Sequence, residues 1–135
     1  NTFYRVSVKA LIKDNDGNIL VVKENQDTWS LPGGGLDHGE TAEEGMAREL
    51  KEELGIQDLK IHGVNQTRTF ELKTKQAWLL WIVYDVTIDT STFSMGDGVT
   101  EWCYINPETF QSSEDIFEQL VYKVAMSPTS INLDS

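Results

Sequence analysis

An α/β domain is what this sequence predicts, on three observations. Several segments carry apolar residues in alternation or in short β-branched runs, the pattern of strands. Among them lies one acidic segment whose apolar residues recur at helical spacing between capping signals. A second helical pattern falls near the end of the chain.

Taken in order, residues 4–12 alternate and are rich in β-branched side chains, so they form a strand. Residues 14–18, around Gly17, make a turn, and residues 19–23 return as a second strand. The helix begins at Thr41, which with Glu44 matches a capping box, and ends at Gly55, suited to the left-handed position that stops a helix. Met46, Ala47, Leu50 and Leu54 share the face expected to pack on a sheet. Glu49 and Glu53 fall at the edge of that face, and Glu52 on the more exposed side. Residues 61–72 and 77–88 read as two longer strands with a turn at 73–75 between them. Residues 102–105 form a short strand, and residues 115–125 the closing helix.

With 135 residues, of which 39% are apolar, the chain has the size and composition of one folded domain spanning residues 1–135. No apolar run is long enough to span a membrane and no signal peptide is visible. The chain opens on Asn1, so a few upstream residues are expected to be missing. Cys103 is the only cysteine, which excludes an intramolecular disulfide and fits a cytoplasmic protein. A net charge of −11 disfavours long nucleic acids and anionic membranes as partners. A small phosphorylated ligand remains compatible, because bound metal inverts the local field.

The acidic helix carries the chemistry. Glu49, Glu52 and Glu53 stand three and four positions apart, where each like-charge pair costs about 0.2–0.5 kcal/mol. Something positive among them removes that cost, and a hard divalent cation with oxygen ligands, magnesium or manganese, suits carboxylates best. The spacing is specific. Five residues separate Gly34 from Glu40, and seven separate Glu40 from Arg48-Glu49-Leu50. One residue then precedes Glu52-Glu53, and one more precedes Gly55-Ile56. All nine fixed positions, spread over 23 residues, resemble the signature of the Nudix (MutT-like) hydrolases. The preceding run from Trp29 to Gly34 and the flanking strands extend the resemblance to about residues 3–125.

That resemblance implies the Nudix fold, an α/β/α sandwich with a mixed β-sheet. It implies divalent-metal-dependent hydrolysis of a nucleoside diphosphate linked to another moiety, with Mg2+ as cofactor and Mn2+ as substitute. Glu52 and Glu53 would be metal ligands, Glu49 a ligand and candidate base, and the Gly33 carbonyl would complete the shell. Arg48 would orient its neighbouring carboxylates, beyond an exposed ion pair with Glu44 or Glu52. Glu40 would support the helix and its arginine. Gly34, Glu40 and Lys23 would lie on the substrate side, Lys23 reaching a phosphate or else pointing to water. A further carboxylate is expected late in the chain. Glu101, just before Trp102, takes that place as ligand or base, with Asp97 a weaker substitute.

The leading substrate class is a (d)NTP or an oxidised dNTP, giving a monophosphate and pyrophosphate. ADP-ribose, nucleotide sugars and dinucleoside polyphosphates are the alternatives. A catalytically silent nucleotide-binding module is disfavoured because every motif glutamate is intact. A nucleic-acid decapping enzyme is disfavoured by the acidic charge. The partner is thus a small nucleotide, with the chain a monomer or homodimer. Phe3, Tyr4, Phe70, Trp78 and Trp81 are candidates for stacking on a base, although most strand aromatics pack. His38 and His62 fit no metal pattern, and Cys103 is expected to pack.

Overall fold

The computed structural model describes residues 3–24 and 27–127. Strand β1 (Tyr4–Leu11) leads into β2 (Ile19–Glu24) through a turn pinned by Asp14, whose carboxylate accepts the amides of Asp16 and Asn18. Two short strands follow, β3 (Trp29–Ser30) and β4 (Gly33–Gly35). Neither is visible in the sequence, since two or three residues carry no periodicity. Helix α1 (Ala42–Leu54) comes next, then the long hairpin β5 (Leu59–Leu72) and β6 (Ala77–Ile88) around a 3-10 turn at Lys73–Lys75. Strand β7 (Val99–Ile105) begins earlier than its aromatic run suggests, and α2 (Ile116–Met126) is capped by the Asp115 carboxylate.

Four strands form a mixed sheet in the order β4-β1-β6-β5, with β1 and β6 parallel and the other pairs antiparallel. The mixed sheet does not stand alone. Strands β3, β2 and β7 make a second, antiparallel sheet. Alternation along β2 feeds two cores. Leu20 and Val22 join Val8, Ala10, Met46, Leu50 and Leu54 beneath α1. Ile19 and Val21 join Leu31, Trp81, Val83 and Val121 beneath α2. Both helices thus cover apolar faces that a strand's period of two presents on opposite sides.

Helix α1 has the predicted ends. Thr41 accepts the Glu44 amide while the Glu44 carboxylate accepts the Thr41 amide, and Gly55 closes the helix at φ 71°. Its buried face differs from the expected one. Ala47 is exposed, and Gly45, Met46, Glu49, Leu50, Glu53 and Leu54 are buried. At 100° per residue the rows 46-50-54 and 49-53 run side by side, and Ala47 falls outside them. Two glutamates therefore point inward where only an edge was expected. No helix among the described residues is long and apolar enough to cross a membrane.

Candidate functional site

Strand β4 sets the geometry. It pairs with β1, Gly33 opposite Lys9 and Gly34 opposite Val8, which presses the glycine turn between β1 and α1. Gly33 adopts φ 127°, and a Cβ there would run into the Val8 carbonyl. Only glycine combines that dihedral with that approach. Its amide donates to Glu53 Oε1 at 2.9 Å. One residue on, a Cβ on Gly34 would stand 2.8 Å from the Glu49 carboxylate. The turn is bare because the Val8 carbonyl crowds Gly33 and the Glu49 carboxylate crowds Gly34.

Burial acts on both carboxylates, with different partners opposing it. Burial pushes Glu53 up to about 9, helped by a hydrogen bond with the Glu24 carboxyl and opposed by Lys9 and the Gly33 amide. Burial also raises Glu49, opposed by Arg48. The Arg48 guanidinium is the organiser. It grips Glu40 with two bonds, Nε to Oε2 at 2.5 Å and Nη2 to Oε1 at 3.0 Å. Its Nη1 donates to Glu49 at 3.1 Å and Glu52 at 3.3 Å, and Nη2 to the Gly35 carbonyl at 3.0 Å. Asp37 lies 3.3 Å from Nε. The expected Glu44 partner is engaged in the helix cap instead. Glu40, held down to about 2 chiefly by its bond from Arg48, also accepts the Asp37 amide. It braces the arginine and the loop before the helix.

Among the described residues, Glu49, Glu52 and Asp97 form the one acidic group in which a carboxylate oxygen from each lies within 4.8 Å of the others. Asp97 arrives there because its loop is stitched to the end of α1. Ser94 N donates to Leu54 O at 3.0 Å and Gly96 N to Glu53 O at 3.0 Å. Gly96 packs so close that a Cβ would stand 2.7 Å from the Glu52 carbonyl. Asp97 itself takes a left-handed conformation, φ 51°. Glu101 is not brought into this group. It lies on β7 opposite Lys23 of β2, and the two side chains pair at 3.4 Å. Lys23 also stands 4.9 Å above the Trp29 ring. The lysine thus points neither to open water nor to the acidic cluster.

Lys9 escaped the sequence reading. Arg5, Ser7 and Lys9 alternate along β1 in a pattern that does not tell a solvent face from a polar pocket. The structure turns Lys9 inward, its Nζ donating to the Leu31 and Gly33 carbonyls at 3.2 Å each and lying 5.1 Å over the Trp81 ring. Burial lowers its pKa, against the pull of Glu53, Glu24 and Glu49. Of the aromatic candidates, Phe70 and Trp81 are buried and pack with Phe117. Tyr4 and Trp78 are exposed partners 6.0 Å apart, and Phe3 is exposed. His38 is exposed, His62 bonds Thr87, and the half-buried Cys103 thiol is raised by burial.

The clustered donors are oxygens only, the carboxylates of Glu49, Glu52 and Asp97. Such a set fits a hard divalent cation and suits neither soft nor imidazole-seeking metals. Fold and site together define an α/β domain organised around an acidic helix and a glycine turn. The chain belongs to the Nudix hydrolase family, whose NUDIX domain model matches residues 3–123.

Relatives agree with that membership. An RNA pyrophosphohydrolase of Shewanella baltica is 38% identical over 68 residues, which cover 50% of this chain and 39% of that protein. One from Vibrio atlanticus is 44% identical over 61 residues, covering 43% of this chain and 36% of the relative. The matched segments therefore span well under half the length of these curated relatives. Among solved structures, a MutT protein from Methanosarcina mazei superposes with a TM-score of 0.77 at 24% identity, covering 93% of this chain and 94% of that one. That likeness shows a shared fold.

Proposed function

We propose that this chain is a divalent-metal-dependent pyrophosphohydrolase acting on a nucleoside triphosphate. The convergence of Glu49, Glu52 and Asp97 within 4.8 Å, beside the Gly33-Gly34 turn, carries the reading. Glu52, Asp97, Glu53 and the Gly33 carbonyl would hold Mg2+, with Mn2+ as substitute. Bound there, the metal would neutralise phosphate charge and acidify a water. Glu49 is the general base, buried and raised above an ordinary glutamate. Water oxygen attacks a phosphorus, its proton passes to Glu49, and the bridging P–O bond breaks with its electron pair on the leaving phosphate. Arg48 fixes Glu49 and Glu52 from one side and Glu40 from the other, so the carboxylates are oriented before substrate arrives.

This reading exchanges the roles foreseen for Glu101 and Asp97. Asp97→Asn is expected to slow turnover by at least about tenfold and to weaken Mn2+ binding. Glu101→Gln is expected to stay within about threefold in kcat, because it breaks only a partly exposed ion pair with Lys23. The reverse ranking would return the ligand or base role to Glu101.

The substrate is tested by a panel with Mg2+: dGTP, 8-oxo-dGTP, ADP-ribose, diadenosine tetraphosphate and several nucleotide sugars. A 5′-triphosphorylated oligoribonucleotide belongs in it, because the curated relatives are RNA pyrophosphohydrolases. The net charge of −11 favours the free nucleotide over the oligomer. A kcat/KM for the oligomer above that for every nucleotide would overturn the choice of substrate. Silence across the panel with Mg2+ and Mn2+ would leave a nucleotide-binding module.

A further inference from the structure

The Gly33 carbonyl has two claimants. It is one of the oxygens assigned above to the metal, and Lys9 Nζ donates to it at 3.2 Å. Lys9 reaches it from β1, directly across the ladder from Gly33. The Leu31 carbonyl, also at 3.2 Å, and the Trp81 face hold the ammonium in that place. The carboxyls whose field acts on this ammonium are Glu53, Glu24 and Glu49, two of which line the proposed metal site.

The surroundings also give this ammonium somewhere else to go. A cavity of about 130 Å³ opens beside it, lined by Lys9, Glu24, Thr28, Ser30 and Phe117. Thr28 is already bonded to Asp115. The buried Ser30 hydroxyl has no hydrogen-bond partner among the described residues, which is uncommon for a buried polar atom. A lysine that left the Gly33 carbonyl would find an acceptor in Ser30 Oγ and a carboxylate in Glu24. Its flexible four-carbon stem allows that movement without shifting the strand.

We propose that Lys9 is an internal cation that competes with the divalent metal for the Gly33 carbonyl, and that metal binding drives its ammonium into the Ser30–Glu24 cavity. The inference rests on the metal site proposed above. Two cations sharing one carbonyl repel each other, and partial burial beneath the glycine turn weakens the screening by water. Lys9 then keeps the turn shaped for binding while setting a ceiling on metal affinity. It is a positioning residue, since it contacts a ligand carbonyl and not the reacting phosphate.

Two measurements decide it. Lys9→Met keeps the stem and removes charge and donors, so its Mn2+ dissociation constant, read by calorimetry, should fall by at least about tenfold relative to wild type. In wild-type protein carrying 15N-lysine, the Lys9 ammonium resonance should shift on saturation with Mg2+. An affinity unchanged or weaker in a folded Lys9→Met overturns the competition and leaves Lys9 a brace of the turn. If that variant does not fold, the resonance decides alone, and its indifference to Mg2+ overturns the proposal. A wild type that binds neither ion refutes the metal site itself. Tight wild-type binding with no gain in the variant refutes only the role of Lys9.

Discussion

Glu53→Gln is expected to lower kcat by at least about a hundredfold and yet to raise the melting temperature of metal-stripped protein above neutral pH. The first effect follows from removing the charge of a proposed metal ligand while keeping its volume. The second follows from burial, which holds this carboxyl near 9 in the fold. Between its ordinary value near 4.5 and about 9, the folded protein keeps a proton that the unfolded chain releases. Its contribution is therefore fully present below the unfolded value and is lost as pH rises through that window. Each bound proton corresponds to about 1.4 kcal/mol per pH unit, roughly 3–5 °C in a domain of this size. Lys9, lowered by burial, works in the opposite sense below its ordinary value. The clean readout is consequently the difference between wild type and variant from about pH 5 to 8. Glutamine does not titrate, so the variant should lose the slope, and added Mg2+ should stabilise wild type far more than the variant. A variant that keeps the wild-type slope would show that Glu53 is not the group responsible. Near-normal turnover would remove Glu53 from the metal site.

How much of this site the sequence makes legible depends on how its residues are tied together. Arg48, Glu49, Glu52 and Glu53 share one helix, whose rise and twist fix their relative positions, so spacing alone announces them. The capping box and Gly55 are legible for the same reason: their bonding is local. Asp97 and Glu101 differ by only a few residues in a loop and a strand start, and no periodicity separates them. What separates them is tertiary: Gly96 N bonds Glu53 O, which draws Asp97 to the helix, while β7 registers with β2 and gives Glu101 to Lys23. Lys9 was hidden by a different ambiguity. An alternating Arg5-Ser7-Lys9 row has the same pattern whether its face meets water or a polar pocket, and only the helix and sheet packed against it decide. The inward turn of Glu49 and Glu53 was hidden because an isolated helix treats carboxylates as exposed, whereas the Gly33 amide and Arg48 supply partners from elsewhere.

Gly33→Ala and Gly34→Ala are expected to separate folding from catalysis at neighbouring positions. At Gly33 the backbone sits at φ 127° and the added methyl meets the Val8 carbonyl, part of the sheet ladder and unable to step aside. Dihedral strain and overlap together should cost about 3 kcal/mol or more, a fall in Tm on the order of 10 °C. At Gly34 no left-handed angle is required, and the atoms in the way are the tip of the Glu49 side chain, 2.8 Å from the new methyl. A side chain rotates where a strand does not, so the stability loss should stay under about 1.5 kcal/mol. The displaced atoms, however, are those assigned as the base, and a shift of about 1 Å in such a group costs up to a hundredfold in kcat. Paired melting curves and single-turnover rates measure both quantities. A Gly34→Ala protein with normal turnover would mean that the Glu49 carboxylate is not needed where the structure places it, and the base would then be sought in Asp97. A large loss of Tm in both variants would instead mean that Arg48 pins Glu49 too firmly to yield. The arginine network, with Glu40 on one side and the two helix carboxylates on the other, would then be as rigid an element of the site as the sheet beneath it.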